Sequence, residues 1–189
     1  MEKQTNQGEE FLRRAKIYFA SGRLKQSVDF FSHALAHGCD QIDVWMSRGA
    51  AQMALGNHAL AKEDFTRVLE RDSRNERANY FRGVAAIALG EYEEGIVDLT
   101  ASLKQNNDRG IAHLLRGLAY AELGDEADAE LDINSASAFS RAEIRSFRKL
   151  FGENSPPFKK TKAMLAEENA PWNNLLSRSA ARKLLNLLQ

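Results

Sequence analysis

A chain of 189 residues, of which 43% are hydrophobic, is long and apolar enough to bury a continuous core. No segment has the roughly 18 unbroken apolar residues that span a bilayer, and the polar N-terminus contains no apolar secretion signal. The single cysteine, Cys39, excludes an internal disulfide and suits a reducing compartment, so we expect a cytoplasmic location.

Four glycines recur along the chain at a constant interval. Gly22, Gly56, Gly90 and Gly124 are each 34 residues apart. This period is typical of a solenoid of stacked helical hairpins, in which each unit buries its apolar face against its neighbours. We therefore predict an all-α fold with four repeated units. The segments are a polar tail at 1–7, unit 1 at 8–41, unit 2 at 42–75, unit 3 at 76–109 and unit 4 at 110–139.

Three further residue types also recur every 34 residues, and each set, called a column here, supports hairpin units. A small residue on the first helix lets the second helix approach closely, and the glycine near the end of the first helix suits the left-handed conformation. Arginine and aspartate stand 16 residues apart on the two helices. We interpret them as a ladder of partly buried ion pairs rather than a catalytic site, because the pair recurs from unit to unit. The small residues are Ala15, Gly49, Gly83 and Gly117; the arginines are Arg14, Arg48, Arg82 and Arg116; the aspartates are Asp64, Asp98 and Asp132.

Units such as RGAAQMALGNHALAKEDFTRVL and RGVAAIALGEYEEGIVDLTASL resemble tetratricopeptide repeats, and the resemblance covers residues 8–140. The first aromatic of the family pattern is present as Phe11 and Trp45 and absent at Asn79 and His113, and the terminal proline of the pattern is missing from every unit. The resemblance implies a helical-hairpin solenoid that acts as a non-catalytic protein–protein interaction module, such as a scaffold, an adaptor or a co-chaperone. The later alanine column is Ser27, Ala61, Gly95 and Ala129, and the later aromatic column is Phe31, Phe65, Leu99 and Ile133.

The periodicity ends after unit 4, and three further segments follow. Residues 140–152 are predicted to be a helix that caps the last repeat, because Ser140 and Glu143 fit a capping box. Residues 153–170 contain a proline break and a short helix. Residues 171–189 are predicted to be an amphipathic C-terminal helix.

In proteins that resemble this one, the first helix of each hairpin lines a concave face that holds the ligand. The second, fifth, ninth and twelfth positions of each unit are expected to point into it, and here they are mostly apolar. A large apolar surface usually marks an interaction site, and methionine makes such a surface adaptable. The candidate binding residues are Leu12, Lys16, Phe19, Met46, Met53, Arg77, Tyr80, Val84, Ile87, Leu114 and Leu118, and the remaining residues at these positions are Glu9, Asp43, Ala50, Ile111 and Ala121.

Two kinds of occupant suit this apolar face. One is an apolar peptide or amphipathic helix of a partner protein, bound by side-chain burial. The other is the predicted C-terminal helix of the chain itself, or of a neighbour in a homodimer. The two are compatible, since a self-docked helix that yields to a partner would be a switch. Residues 1–140 carry 16 Lys and Arg against 22 Asp and Glu, and residues 141–189 carry 10 against 4, which favours docking of the tail or an acidic partner. The tail interface residues are Trp172, Leu176, Leu184 and Leu188.

The same positions argue against binding of a chaperone C-terminus. Tetratricopeptide domains that do so hold the terminal carboxylate with Lys and Asn on the first helix, Asn on the next, and Lys and Arg on the third. The matching positions are Leu12, Lys16, Ser47, Arg77 and Phe81, of which Arg77 alone keeps the third-helix charge. We therefore predict that this carboxylate clamp is not used.

The sequence predicts no enzymatic activity and no cofactor. It contains no P-loop, dinucleotide-binding loop or nucleophile elbow. His33, His37, Cys39 and Asp40 lie close together, with the two histidines at the i,i+4 spacing that metal sites use. We interpret the histidines instead as residues near a helix C-terminus, where imidazole is favoured, and expect no metal site.

The basic tail suits two alternative functions, which are nucleic-acid binding and membrane-surface binding. We interpret the basic run as the solvated face of an end-capping helix, and expect neither nucleic acid nor membrane as the partner. A third alternative is a chaperone that resembles those of type III secretion translocators, which hold client segments in apolar grooves but typically have three repeats. The basic run is Arg141, Arg145, Arg148, Lys149, Lys159, Lys160 and Lys162, with Phe147, Phe151 and Phe158 interleaved.

Overall fold

The computed structural model describes residues 2–136, with side chains from residue 7 onward. This part forms eight α-helices and contains no strand, which confirms the predicted all-α fold. The first helix begins at Glu2 and so runs through the segment 1–7 that the sequence separates from unit 1. The segments predicted at 140–152, 153–170 and 171–189 lie outside the described residues. The helices are α1 (Glu2–Ala20), α2 (Leu24–Ala36), α3 (Ile42–Ala54), α4 (His58–Arg71), α5 (Glu76–Leu89), α6 (Tyr92–Leu103), α7 (Gly110–Glu122) and α8 (Glu126–Ala136).

The helices pair in chain order as four hairpins, one in each predicted unit. α1 packs against α2, α3 against α4, α5 against α6 and α7 against α8. The second helix of each hairpin also packs against the first helix of the next, and neighbouring first helices meet at α3–α5 and α5–α7. This nearest-neighbour stacking is that of a solenoid, in which a unit buries its apolar face against the units beside it.

The repeated glycines end the first helices in the way that the sequence predicts. Gly22, Gly56, Gly90 and Gly124 have φ values of 74°, 79°, 82° and 83°. A Cβ atom disfavours this left-handed conformation, and glycine adopts it without strain. Each first helix can therefore reverse into its second helix within a short turn.

The small-residue column brings the two helices of a hairpin into direct contact. A Cβ atom added to Gly49 would lie 2.8 Å from Cε1 of Phe65, and one added to Gly83 would lie 2.9 Å from Cγ of Leu99. Both distances are too short for a real carbon–carbon contact, so a larger residue would force the helices apart. The later aromatic column of each unit thus packs on its small-residue column.

The predicted arginine–aspartate ladder is present in units 2, 3 and 4. Arg48, Arg82 and Arg116 each donate two hydrogen bonds to the aspartate 16 residues later, with N–O distances from 2.6 to 2.9 Å. The three aspartates are buried. Burial raises the pKa of Asp64, and the hydrogen bonds from Arg48 oppose that rise without cancelling it. Each pair joins the two helices of its hairpin.

A column of hydroxyl groups, which the sequence interpretation missed, extends the ladder between units. Arg48 Nη1 donates to Ser32 Oγ at 3.0 Å, and Arg116 Nη1 donates to Thr100 Oγ1 at 2.9 Å. The same contact recurs in unit 3 at 3.5 Å. Each hydroxyl lies 16 residues before its arginine, on the second helix of the preceding unit. The arginines therefore connect neighbouring hairpins as well as the two helices within one hairpin.

The core is divided between unit 1 and the units that follow. Ala15, Phe31 and Val44 form a small cluster at the first hairpin and its junction with α3. A larger cluster runs without interruption from α3 to α8 and includes Phe65 and Leu99. Units 2 to 4 thus share this large cluster, on which the candidate site is built, and a further small cluster of Val68, Leu69 and Ala78 joins α4 to α5.

Candidate functional site

The predicted binding residues lie on the first helices, and their environments differ between unit 1 and unit 2. In unit 1, Leu12 and Phe19 are half-buried and pack on the small cluster, while Lys16 is exposed. In unit 2, Met46 is half-buried and Met53 is buried. The face of unit 1 is therefore partly open to water.

Units 3 and 4 bring the other apolar candidates into the larger core cluster. Val84 and Leu118, at the ninth position of their units, expose only 1% of their surface, whereas Tyr80 exposes 5% and Leu114 exposes 7%. Arg77 is exposed and lies outside this cluster. At these units the face is apolar and shielded from water. Six of its residues are named the central patch: Met53, Tyr80, Val84, Ile87, Leu114 and Leu118.

Arg109 forms a polar edge to the central patch that the sequence did not reveal. Its guanidinium carbon lies 4.5 Å from the centre of the Tyr80 ring, and its Nε and Nη2 donate to Glu76 at 2.5 and 2.9 Å. Ser102 Oγ donates to the same carboxylate at 2.7 Å. Burial raises the pKa of Glu76. The hydrogen bonds from Arg109 and Ser102 lower it by more than burial raises it, so the pKa lies below its usual range. The equivalent positions of units 1 and 2 are uncharged, so no repeat pattern marks Arg109.

The segment considered as a metal site uses its polar groups in internal contacts. His37 Nδ1 lies 2.8 Å from the carbonyl oxygen of His33, and the Phe11 ring packs against both imidazoles at centroid distances of 5.0 and 5.2 Å. Asp40 accepts a hydrogen bond from Trp45 Nε1 at 2.6 Å. Within residues 7–136, no group of three or more His, Cys, Asp and Glu side chains is placed to hold a metal ion.

Of the eight helices described above, none combines the length and the apolar character needed to cross a membrane. The predicted tail interface lies outside the described residues, as does the basic run. The interface residues are Trp172, Leu176, Leu184 and Leu188.

Comparison with known proteins points to one repeat family and one fold. Residues 46–101 match the family model for the tetratricopeptide repeat. No curated protein sequence matches the chain significantly. The crystal structure of the MamA protein has a TM-score of 0.67 to this chain at 17% identity, covering 86% of this chain and 92% of MamA.

Two further similar structures are named for their peptides or peptide sites. YrrB, a TPR protein with an unusual peptide-binding site, has a TM-score of 0.61 at 21% identity, covering 65% of this chain and 63% of YrrB. The first TPR of Spaghetti (RPAP3), bound to the HSP90 peptide SRMEEVD, has a TM-score of 0.57 at 18% identity, covering 64% of this chain and 95% of that one. At these identities the similarity shows a shared fold.

Proposed function

Because this chain belongs to the tetratricopeptide repeat family, we propose that it is a non-catalytic protein–protein interaction module whose concave face binds an apolar segment of a partner protein. Proteins of this family generally act as interaction modules. The names of two similar structures refer to a peptide or a peptide-binding site, which supports a protein or peptide as the class of partner.

The central patch is the observation that carries this proposal. Its six apolar side chains come from α3, α5 and α7 and share one continuous cluster. The half-buried apolar residues Leu12, Phe19 and Met46 on α1 and α3 still have surface that a partner can cover, and each Å² of apolar surface buried contributes about 25 cal/mol toward the cost of ordering a peptide. Recognition by side-chain burial suits an amphipathic helix or an extended apolar peptide.

The carboxylate-clamp mode does not suit this chain. The positions that would hold a terminal carboxylate are occupied by Leu12, Lys16, Ser47, Arg77 and Phe81. Lys16 and Arg77 are exposed cations, but Lys16 stands where the clamp has asparagine, Arg77 alone keeps a clamp charge, and the clamp asparagines are missing. We therefore propose recognition through apolar side chains, with little contribution from a terminal charge.

Glutamate substitutions at the edge of the central patch test the proposal. Ala50 in unit 2 and Ala121 in unit 4 are half-buried residues of the concave face, so Ala50→Glu and Ala121→Glu add a charge without removing a large packed side chain. We expect each variant to retain about tenfold less partner than the wild type in a pull-down from the native host's lysate, quantified by mass spectrometry. Ala127→Glu, at an exposed position of α8, is the matched control and should retain the partner fully.

Circular dichroism of all three variants verifies that helix content is unchanged. A partner that both concave-face variants retain as well as Ala127→Glu does would place recognition elsewhere and overturn the proposal.

The salt dependence of binding distinguishes the central patch from the basic tail as the binding site. Binding through phosphate contacts to the basic tail weakens steeply as salt rises, whereas binding to the central patch should persist.

A further inference from the structure

His113 on α7 is a buried residue whose two ring nitrogens both face hydrogen-bond acceptors. Its Nδ1 lies 2.8 Å from Oδ1 of Asp132 on α8. Its Nε2 lies 3.1 Å from the carbonyl oxygen of Asn107, which belongs to the loop of residues 104–109 between α6 and α7. Turning the ring over would place carbon atoms at both oxygens and lose both contacts. The two partners therefore fix the orientation of the ring.

Neither of these two partners can supply the ring with a proton. A carbonyl oxygen only accepts hydrogen bonds. Asp132 accepts from Arg116 at both of its oxygens, with distances of 2.6 and 2.7 Å, so it is present as the carboxylate. A neutral imidazole has a single N–H group and would leave one nitrogen lone pair facing an oxygen, whereas the imidazolium donates from both nitrogens. The geometry is that of the protonated ring.

Asp132 is the anion that acts on His113 at contact distance, and it is shared with one other cation. Its carboxylate also binds Arg116, which lies one turn after His113 on α7. Among the described residues, the other charged side chains at the facing ends of these elements are either paired with one another or exposed. Arg109 pairs with Glu76 on α5 and Asp98 on α6 pairs with Arg82, whereas Lys104, Asp108 and Asp128 are exposed.

The equivalent position of unit 3 holds a residue that does not titrate. Asn79 is also buried, and its Nδ2 donates to the carbonyl oxygen of Asn75 at 3.1 Å. An amide keeps its hydrogens throughout the neutral range, whereas imidazole gains or loses a proton between about pH 5 and pH 8. The contact from the first helix to the preceding loop is therefore independent of pH in unit 3 and depends on protonation in unit 4.

We infer that His113 is a pH-sensitive link, which holds the α6–α7 loop to the hairpin of unit 4 and releases it when the imidazolium loses its proton. After that loss a single N–H group remains, and it stays with the Asp132 carboxylate because a hydrogen bond to a charged acceptor is the stronger one. Nε2 then faces the Asn107 carbonyl with a lone pair, and this contact is lost. The link is therefore complete on the acid side of the imidazole titration and is lost as the pH rises.

The loop that His113 holds also carries the polar edge of the central patch. Arg109 follows Asn107 by two residues, and its guanidinium lies over the Tyr80 ring and pairs with Glu76. Release of the loop at Asn107 loosens Arg109 at this edge. A partner that contacts the edge would then bind more weakly above neutral pH. This consequence rests on the proposed function, whereas the link itself does not.

Hydrogen exchange of the full chain measures the link without any partner. The reporters are amides of residues 104–113, such as those of Gly110 and Ala112, which donate to Asp108 and Arg109. We expect their protection factors, which correct for the intrinsic effect of pH on exchange, to fall about tenfold between about pH 6 and about pH 8.5. Residues 72–79, the equivalent segment of unit 3, are the internal control and should keep their protection.

His113→Asn is the matched variant, because it places in unit 4 the residue that unit 3 has at this position. It removes the titrating group, so the protection of residues 104–113 should become independent of pH. Proton NMR of the wild type gives a second measurement. At about pH 6, we expect two slowly exchanging ring protons of His113, one on each nitrogen, because both are hydrogen-bonded and buried.

Three results would overturn the inference. One is a wild-type protection of residues 104–113 that is the same at both pH values, and another is a pH dependence that persists in His113→Asn. The third is a single hydrogen-bonded ring proton on His113 at about pH 6. The first and third need no variant, so the test remains decisive if His113→Asn does not fold. Because no partner is present, each result leaves the proposed function standing, and the Ala50→Glu and Ala121→Glu pull-down tests that function separately.

Discussion

Arg82 and Asp98 illustrate how individual residues hold a hairpin together. Arg82 donates from Nε and Nη2 to the two carboxylate oxygens of Asp98, and both distances are 2.7 Å. Asp98 is buried, and the hydrogen bonds that it accepts from Arg82 raise the pKa of Arg82, so the guanidinium remains charged. Removal of one member of such a pair leaves an uncompensated buried charge, which costs more than the intact pair contributes.

Arg82→Ala should lower the free energy of unfolding by about 2 kcal/mol, because it leaves Asp98 buried and unpaired. The effect is below the full cost of a buried charge, since the Arg82 side chain is 26% exposed. Urea unfolding measures the change. Arg14→Ala is the matched control, because Arg14 pairs with Glu10 on the surface and its loss should cost about 0.5 kcal/mol or less.

A partial return of stability when Asp98→Asn is added to Arg82→Ala would confirm that the unpaired carboxylate is the cause. If Arg82→Ala unfolds at the same urea concentration as the wild type, the ion pair does not stabilise the hairpin.

The arginine–aspartate pairs could be predicted from the sequence. The contacts of the same arginines with hydroxyl groups of the preceding unit could not. The pair lies within one unit, at a spacing that recurs with the repeat. Ser32 and Thr100 also recur at that period, yet serine and threonine on helices have many ordinary surface roles. Their partners, Arg48 and Arg116, lie in the next unit. The packing of neighbouring units therefore had to be known before the contact could be recognised.

At the scale of helices and turns, Glu76 links three elements across the junction of units 3 and 4. It lies at the start of α5, accepts hydrogen bonds from Arg109 just before α7, and accepts another from Ser102 on α6. Burial alone would raise the pKa of this carboxyl group, and the three hydrogen bonds hold it below its usual value. The junction therefore depends on the ionised form of Glu76.

Glu76→Gln should destabilise the protein at neutral pH and have a smaller effect in acid. Because the folded pKa lies below the unfolded value of about 4.5, the contribution of the carboxylate is complete above that value and is lost as the pH falls through the folded pKa. We expect the variant to lose about 1–2 kcal/mol at about pH 7 and less at about pH 3, where the carboxyl group begins to be protonated. Urea unfolding at both pH values measures the difference.

Glu70→Gln is the matched control for this pH dependence, because Glu70 pairs with Arg67 where both side chains are more than half exposed. Its loss should cost about 0.5 kcal/mol or less at either pH. A penalty for Glu76→Gln that is equal at both pH values would show that the side chain acts through packing rather than through its charge.

At the scale of the whole molecule, the apolar core is distributed unevenly. The small cluster of Ala15, Phe31 and Val44 serves unit 1, whereas the larger cluster joins units 2 to 4. In a solenoid each unit is stabilised by its own core and by its immediate neighbours, so local stability follows this distribution.

We expect native-state hydrogen exchange to show this gradient. Amides of α1 and α2 should have protection factors about tenfold or more below those of α5 and α6, because unit 1 opens without disrupting the larger cluster. Exchange of the full chain, followed by mass spectrometry of peptides from each helix, measures the protection. Equal protection throughout α1–α8 would indicate a single cooperative unit and contradict the expectation.

The repeat, the hairpin turns and the pairs within each hairpin were determined by the sequence itself. They depend on residues within one period of 34, so the left-handed Gly90, the close-packed Gly83 and the Arg82–Asp98 pair all leave a regular mark on the chain. The apolar character of the concave positions follows in the same way.

The tertiary structure alone decided which concave residues are shielded and what surrounds them. Val84 is buried and Lys16 is exposed although both hold the ninth position of a unit, because Val84 belongs to the large cluster of units 2 to 4 and Lys16 lies outside the small cluster of unit 1. Arg109 meets Tyr80 and Glu76 for the same reason, at a position where the other units have no charge. Contacts that form between units and occur once leave no period in a sequence, so packing is the first level at which they can be seen.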